Sequence, residues 1–123
     1  MYCRGIRGAT TVTANDKEAI MASTKELLTS ILAANQLQTA DIASAFFTTT
    51  ADLNADFPAV AARQMQWDNV PLLCGHEMNV PGALPMCLRV LIHVNTEKRQ
   101  EDMVHVYLHG AVVLRPDIAG RNG

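Results

Sequence analysis

The stretch Met86-Cys87-Leu88-Arg89-Val90-Leu91-Ile92-His93-Val94 decides how this chain is read. It is made of β-branched and aliphatic residues, holds neither Gly nor Pro, and has turn signals on both sides, which predicts a β-strand. Side chains alternate across a strand. Leu88, Val90, Ile92 and Val94 therefore share one face and suit a core, while Arg89, Leu91 and His93 share the other. A guanidinium keeps its charge and presents a rigid fork of donors. On a wet face Arg89 is an ordinary solvated residue. On a face closed by a ligand or a second subunit it must meet an anion, because an unpaired buried charge is very costly.

The composition limits what can cover that face. A chain of 123 residues makes one domain with a single core. With 49% hydrophobic residues it folds rather than staying disordered. A net charge of −2, with one Trp, two Tyr and three Phe, argues against nucleic acid as a partner. No apolar run approaches the ~18 residues of a membrane span, and the N-terminus has no signal-peptide core. Cys3, Cys74 and Cys87 are odd in number and lack Cys-x-x-Cys spacing, which predicts a reducing, cytoplasmic setting.

Working outward, Arg4 to Val12 reads as a strand carrying two glycines, a place where a ligand or another backbone can come close. Asn15 to Asn35 is the strongest helix, with Asn15 as N-cap, Glu18 completing a capping box, and Ile20, Thr24, Leu27, Leu28, Ile31 and Leu32 as its apolar stripe. A strand is expected over the second half of Ile42 to Thr50, whose three threonines either end it with hydroxyls at a site or are plain β-branched filler. Pro58 to Met65 is a short Ala-rich helix with Pro in its first turn. Val70 to Cys74 is an edge strand. The strand around Arg89 follows a loop with two prolines, His105 to Leu108 is a further strand, and Ala111 to Pro116 is extended. Residues 117–123 form a frayed tail. The order predicts an α+β fold: a mixed β-sheet with helices on one face. Nothing remains to cover the other face, so it is wet or shut by oligomerisation.

Candidate chemistry is sparse by spacing alone. His105 and His109 are four apart, useful for a metal only on a helix, and His76-Glu77 lacks a second His, so no metal site is expected. Cys74 has no base and orienting group at a nucleophile's spacing and reads as a small hydrophobe. Arg7, Arg63, Arg89 and Arg115 lie in apolar or Gly-rich contexts, which fits a small carboxylate ligand as well as scattered surface charge.

Taken together, several blocks are more specific. Arg4-Gly5-Ile6-Arg7-Gly8-Ala9-Thr10-Thr11-Val12, Phe57-Pro58-Ala59 with Arg63, Val70-Pro71-Leu72, Glu77-Met78 before a Pro/Gly loop, Arg89 in its strand, His105-Val106-Tyr107-Leu108 and Ala111-Val112-Val113-Leu114-Arg115-Pro116-Asp117 run through the chain. This set resembles the trimeric, pseudo-α/β-barrel class of chorismate mutase over nearly the whole length. The resemblance implies a homotrimer with active sites at subunit interfaces and a cofactor-free rearrangement of chorismate to prephenate, the branch step toward phenylalanine and tyrosine. It implies Arg89 at the ether oxygen, Arg7 and Tyr107 at the enolpyruvyl carboxylate, and Glu77 with Cys74 at the ring hydroxyl. Phe57 and Leu114 wall the pocket, and Arg63 and Arg115 sit near its mouth. Two positions depart. The family often carries a basic residue where this chain has Val60, which predicts weaker ring-carboxylate binding or leaves that contact to Arg63, and Leu73 stands where some members have Thr. Two other readings compete: a reactive-imine deaminase of similar trimeric fold, and a non-catalytic trimer that binds an aromatic-pathway metabolite.

Overall fold

The computed structural model describes residues 1–114. In chain order these form β1 (Tyr2–Thr11), α1 (Lys17–Ala34), β2 (Ile42–Thr49), α2 (Pro58–Gln64), β3 (Leu72–His76), β4 (Cys87–Thr96) and β5 (Val106–Tyr107), then a 3-10 helix at His109–Leu114. The strands make one sheet in the order β3-β2-β4-β1-β5. β4 is central and runs antiparallel to both β1 and β2, while β3 lies parallel to β2 and β5 parallel to β1. The sheet is therefore mixed, as read from the sequence.

The alternation in β4 divides inside from outside. Leu88, Ile92 and Val94 are fully buried and Val90 nearly so, whereas Leu91 remains 37% exposed. The inner face packs under α1, whose Ile20, Leu27, Leu28 and Ile31 are wholly buried. Gly8 of β1 lies on that face, and a Cβ there would come within 2.6 Å of Ile31 Cδ1. A side chain at this position would push α1 off the sheet. Both helices pack on this inner side. The other face carries, along one register line, Leu73, Phe46, Leu91 and Arg7. Leu73 is 64% and Phe46 39% exposed, so an apolar row crosses three strands uncovered.

Local boundaries differ from the sequence reading in instructive ways. α1 is capped by Asp16, whose side chain accepts from the Ala19 amide. Asn15 stands one residue too early and instead accepts from the Asn54 and Ala55 amides, tying down the loop before α2. β2 starts at Ile42, earlier than expected, with an irregularity between Ile42 and Ser44. β3 runs over Leu72–His76 and not from Val70, because Pro71 has no amide to give to a ladder. It does lie at the sheet edge. The expected strand at 105–108 shortens to Val106–Tyr107, and the segment read as extended from Ala111 is instead the 3-10 helix. The Gly110 amide bonds Thr11 Oγ1 and the Ala111 amide turns back to Leu108, which coils the chain after β5. The expected tail at 117–123 lies outside the described residues.

Asn35 closes the far end of α1. Its buried side chain donates to the Ile31 and Val104 carbonyls and accepts from the Val104 amide. The two bonds to Val104 join the helix C-terminus to the lead-in of β5. Replacing Asn35 by Ala leaves these groups unsatisfied, and each orphaned buried group costs about 1–3 kcal/mol. Urea unfolding of Asn35→Ala should show a loss of at least that size, and Asn35→Asp, which keeps only the acceptor, should fall between the two.

Candidate active site

Arg89 stands on the uncovered face of β4, opposite Thr48 of β2 on one side and Ala9 of β1 on the other. Its Nε lies 2.9 Å from Glu77 Oε2. The Nε–H does not point at that oxygen, so the contact is an ion pair without an aligned hydrogen bond. Glu77 is only 15% exposed and is held in place twice more. Its Oε2 accepts from the Thr48 hydroxyl at 3.0 Å, and its amide donates to the Thr49 carbonyl. The Cys87 thiol, two residues earlier on the same face, also hydrogen-bonds the Arg89 side chain. The carboxylate fixes one side of the guanidinium, and the side chain keeps 40% exposure.

Arg89 and Thr48 border a cleft of about 490 Å³ on the uncovered face, lined also by Arg7, Tyr107, Leu114 and Phe46 among others. Arg7 reaches it from β1, where its amide is fixed by donation to His105 Nδ1. Tyr107 reaches it from β5, the short strand seated on β1. Leu114 closes one end from the 3-10 helix. The structure therefore gathers Arg7, Arg89, Tyr107 and Leu114 in one place, with Glu77 as the ion-pair partner of Arg89.

A second group sits elsewhere. Phe57, Pro58, Cys74 and His76 line a separate cleft of about 310 Å³ beside the edge strand. Cys74 pairs with Phe47 on the helix-covered side of the sheet, so it faces away from Arg89. Burial raises the pKa of the Cys74 thiol, partly offset by the Ala59 amide and the Arg63 charge. Phe57 is 67% exposed. Arg63 is exposed on α2 near Cys74, and Leu73 points from the edge strand to the uncovered face. Arg115 lies outside the described residues. A single chain therefore does not bring all the sequence-derived site residues to one ligand.

Thr48 was the residue least visible beforehand. The run of three threonines was ambiguous between filler and a hydroxyl-lined strand end. Strand alternation puts Thr48 on Arg89's face, and all three hydroxyls are engaged: Thr48 with Glu77, Thr49 with the Leu53 carbonyl and Thr50 with Asp52. The histidines considered for a metal go to other partners, His76 to Thr49 and His109 to Glu26.

The fold and the cleft define a class: a small α+β domain whose uncovered sheet face carries two guanidiniums at one cleft. Residues 3–118 match the family model for chorismate mutase type I. The chain is 44% identical to the chorismate mutase AroH of Bacillus subtilis over 120 residues, covering 97% of this chain and 94% of that one. It is 50% identical to the chorismate mutase AroH of Thermus thermophilus over 116 residues, with 94% and 95% covered. Its fold overlays a chorismate mutase structure from Clostridium thermocellum with a TM-score of 0.87 at 50% identity, covering 89% of this chain and 97% of that one.

The chain belongs to the type I chorismate mutase family. It is an isomerase that converts chorismate to prephenate, in aromatic amino acid biosynthesis. The imine-deaminase reading is set aside by that match.

The three thiols report on the geometry. Cys3 is exposed, Cys74 half-buried and Cys87 buried, and burial raises the pKa of both Cys74 and Cys87. A raised thiol pKa leaves less thiolate at a given pH, and thiolate is the reactive form. Alkylation at pH 8 followed by mass spectrometry should label Cys3 first, Cys74 more slowly, and Cys87 only on unfolding.

Proposed function

We propose that Arg89 drives the rearrangement by meeting the charge that grows on the ether oxygen of chorismate, in sites completed by a neighbouring subunit. The reaction breaks the ether C–O bond while a new C–C bond forms, and the dianion must be held in a folded, chair-like geometry. Holding that geometry is orientation work. Because negative charge develops on the ether oxygen, a fixed cation aimed there stabilises the transition state more than the substrate. Arg89 fits this role because Glu77 and Thr48 set its position before any ligand arrives. Arg7 and Tyr107, at the other side of the cleft, take the enolpyruvyl carboxylate, with Leu114 as its wall. The carboxylate of Glu77 balances part of the positive charge and, together with Cys74 of a neighbouring chain, would meet the ring hydroxyl.

One observation carries the shared-site reading. The candidate residues fall into two groups that one chain holds apart. Cys74 and Arg89 are on opposite faces of the sheet and two strands apart, about 10 Å sideways. A homotrimer that packs the uncovered faces together would bury the row of Leu73, Phe46 and Leu91, and would bring Phe57, Leu73, Cys74 and Arg63 of one chain to the Arg7–Arg89 cleft of the next. An apolar row of this kind marks an association surface. In such an assembly the sheets form the barrel-like centre and the helices the outside. The three free thiols fit a cytoplasmic setting.

Incubation with chorismate, followed by the loss of its ultraviolet absorbance, separates catalysis from simple metabolite binding, since a binding trimer would leave the absorbance unchanged. Replacing Arg89 by citrulline, a neutral isostere, should raise the barrier by at least about 3 kcal/mol, the scale of one lost oxyanion donor. That is a fall of roughly 150-fold in kcat, and turnover within a few-fold of the parent would refute the role. The chemical step moves no proton, so kcat should be nearly flat across neutral pH, whereas a sharp bell there would indicate general acid–base chemistry. Light scattering should report a trimer, and specific activity should fall on dilution below its dissociation range.

A further inference from the structure

We propose that Asp52 is a positioning residue for Arg89, acting through the start of β4. The loop from Met78 to Pro85 leaves β3 beside Glu77 and returns to β4 just ahead of Arg89. Both of its ends are held by the residues that follow Phe47. At the outgoing end, the Glu77 amide donates to the Thr49 carbonyl and the Glu77 carboxylate accepts from the Thr48 hydroxyl. At the returning end, Asp52 Oδ2 accepts from the Met86 amide at 2.9 Å, while Asp52 Oδ1 accepts from the Thr50 hydroxyl. Thr50 Oγ1 in turn accepts from the Cys87 amide at 3.0 Å, and the Thr50 amide donates to the Cys87 carbonyl.

This arrangement has work to do. Met86 has φ of 52°, the left-handed region that a residue with a side chain rarely adopts. Such a conformation persists only where the surroundings over-determine it. Its amide is held by Asp52 and its carbonyl accepts from the Val12 amide at 2.8 Å. Beyond Met86 come Cys87 and Leu88, both fully buried, and then Arg89. The direction in which β4 enters the sheet is therefore set at Met86, and the guanidinium is carried by the third residue after it. The hydrogen bonds from Thr50 and Met86 hold the Asp52 carboxyl below its ordinary pKa, so both of its oxygens are available as acceptors across neutral pH. An amide at this position can accept on only one side and turns N–H groups toward the second donor.

Asp52 bonds Thr50 and Met86, and no contact with substrate is assigned to it. The inference rests on the reading of Arg89 given above, and its test keeps the two apart. Asp52→Ala, Asp52→Asn, Arg89→Gln and the double variant Asp52→Ala/Arg89→Gln are compared in kcat, KM and urea midpoint, all well below the unfolding transition. Asp52→Ala should lower kcat at least about tenfold, because a small misplacement of a catalytic group has effects of that order or more, and should move KM for chorismate less than about threefold. Asp52→Asn should recover part of the loss. In the Arg89→Gln background the Asp52 substitution should cost nothing further in kcat, since groups that act as a unit are not additive. If kcat of Asp52→Ala stays within twofold of the parent, or its loss multiplies in full onto that of Arg89→Gln, the proposal is overturned. Should Asp52→Ala not fold, Asp52→Asn alone and with Arg89→Gln serves for the same comparison. An Arg89→Gln variant with parental turnover would instead overturn the reading of Arg89 itself.

Discussion

The ion pair between Arg89 and Glu77 is the constraint on which the uncovered face depends. A guanidinium left alone on an apolar sheet face would swing toward bulk water. Here a carboxylate 2.9 Å from Nε removes that freedom; it accepts from the Thr48 hydroxyl, and the Glu77 amide donates to the Thr49 carbonyl. The pair is partly exposed, with side chains 40% and 15% accessible, so its net contribution to stability is modest. Its value is geometric. In the role proposed for Arg89, the cation has to be in place before charge develops, because reorganisation during the reaction would cost the rate it is meant to supply. The sheet does the holding: β2 presents Thr48, β3 delivers Glu77, and β4 carries Arg89 at the centre, between neighbours on both sides.

Two distinct demands are met on the two sides of that sheet. The inner side is packed for stability, with α1 close enough to β1 that Gly8 cannot be enlarged without displacement. The outer side leaves Leu73, Phe46 and Leu91 accessible beside Arg7, as the proposed shared site requires. Alternation along β4 separates these demands residue by residue. A one-residue slip of β4 would exchange them, placing Arg89 in the core and Val90 in the cleft. Register is thus a functional quantity here, and the hydrogen bonds at Thr50, Asp52 and Met86 bear on it directly.

Much of this was legible in the sequence, for identifiable reasons. β4 and α1 have strong periodicities, and their buried faces are those the patterns indicate. The elements that misled are those whose local chemistry suits two outcomes. Asn15 and Asp16 can both cap a helix, and the choice was made by the distant Asn54 loop. Ala111 to Leu114 has strand-like composition, yet the Gly110 bond to Thr11 and the return of Ala111 to Leu108 coil it instead. In the site, Arg7, Arg89 and Tyr107 were recognised as a group and do come together. The resemblance puts Glu77 and Cys74 at one ring hydroxyl, but an odd spacing along an extended chain sends them to opposite sides of their own sheet. Asp52 gave no signal because it works through backbone groups, which leave no mark in sequence.

The outer edge of β3 has its own consequence. β3 ends the sheet, and its second row of backbone groups faces no other strand among the described residues. Together with the wet row of Leu73, Phe46 and Leu91, this makes a newly synthesised, unassembled chain a sticky species. In the proposed trimer, productive encounter with sister chains and irreversible clumping would draw on the same surface. The yield of active enzyme from refolding should therefore pass through an optimum in protein concentration, limited by slow assembly on one side and by aggregation on the other.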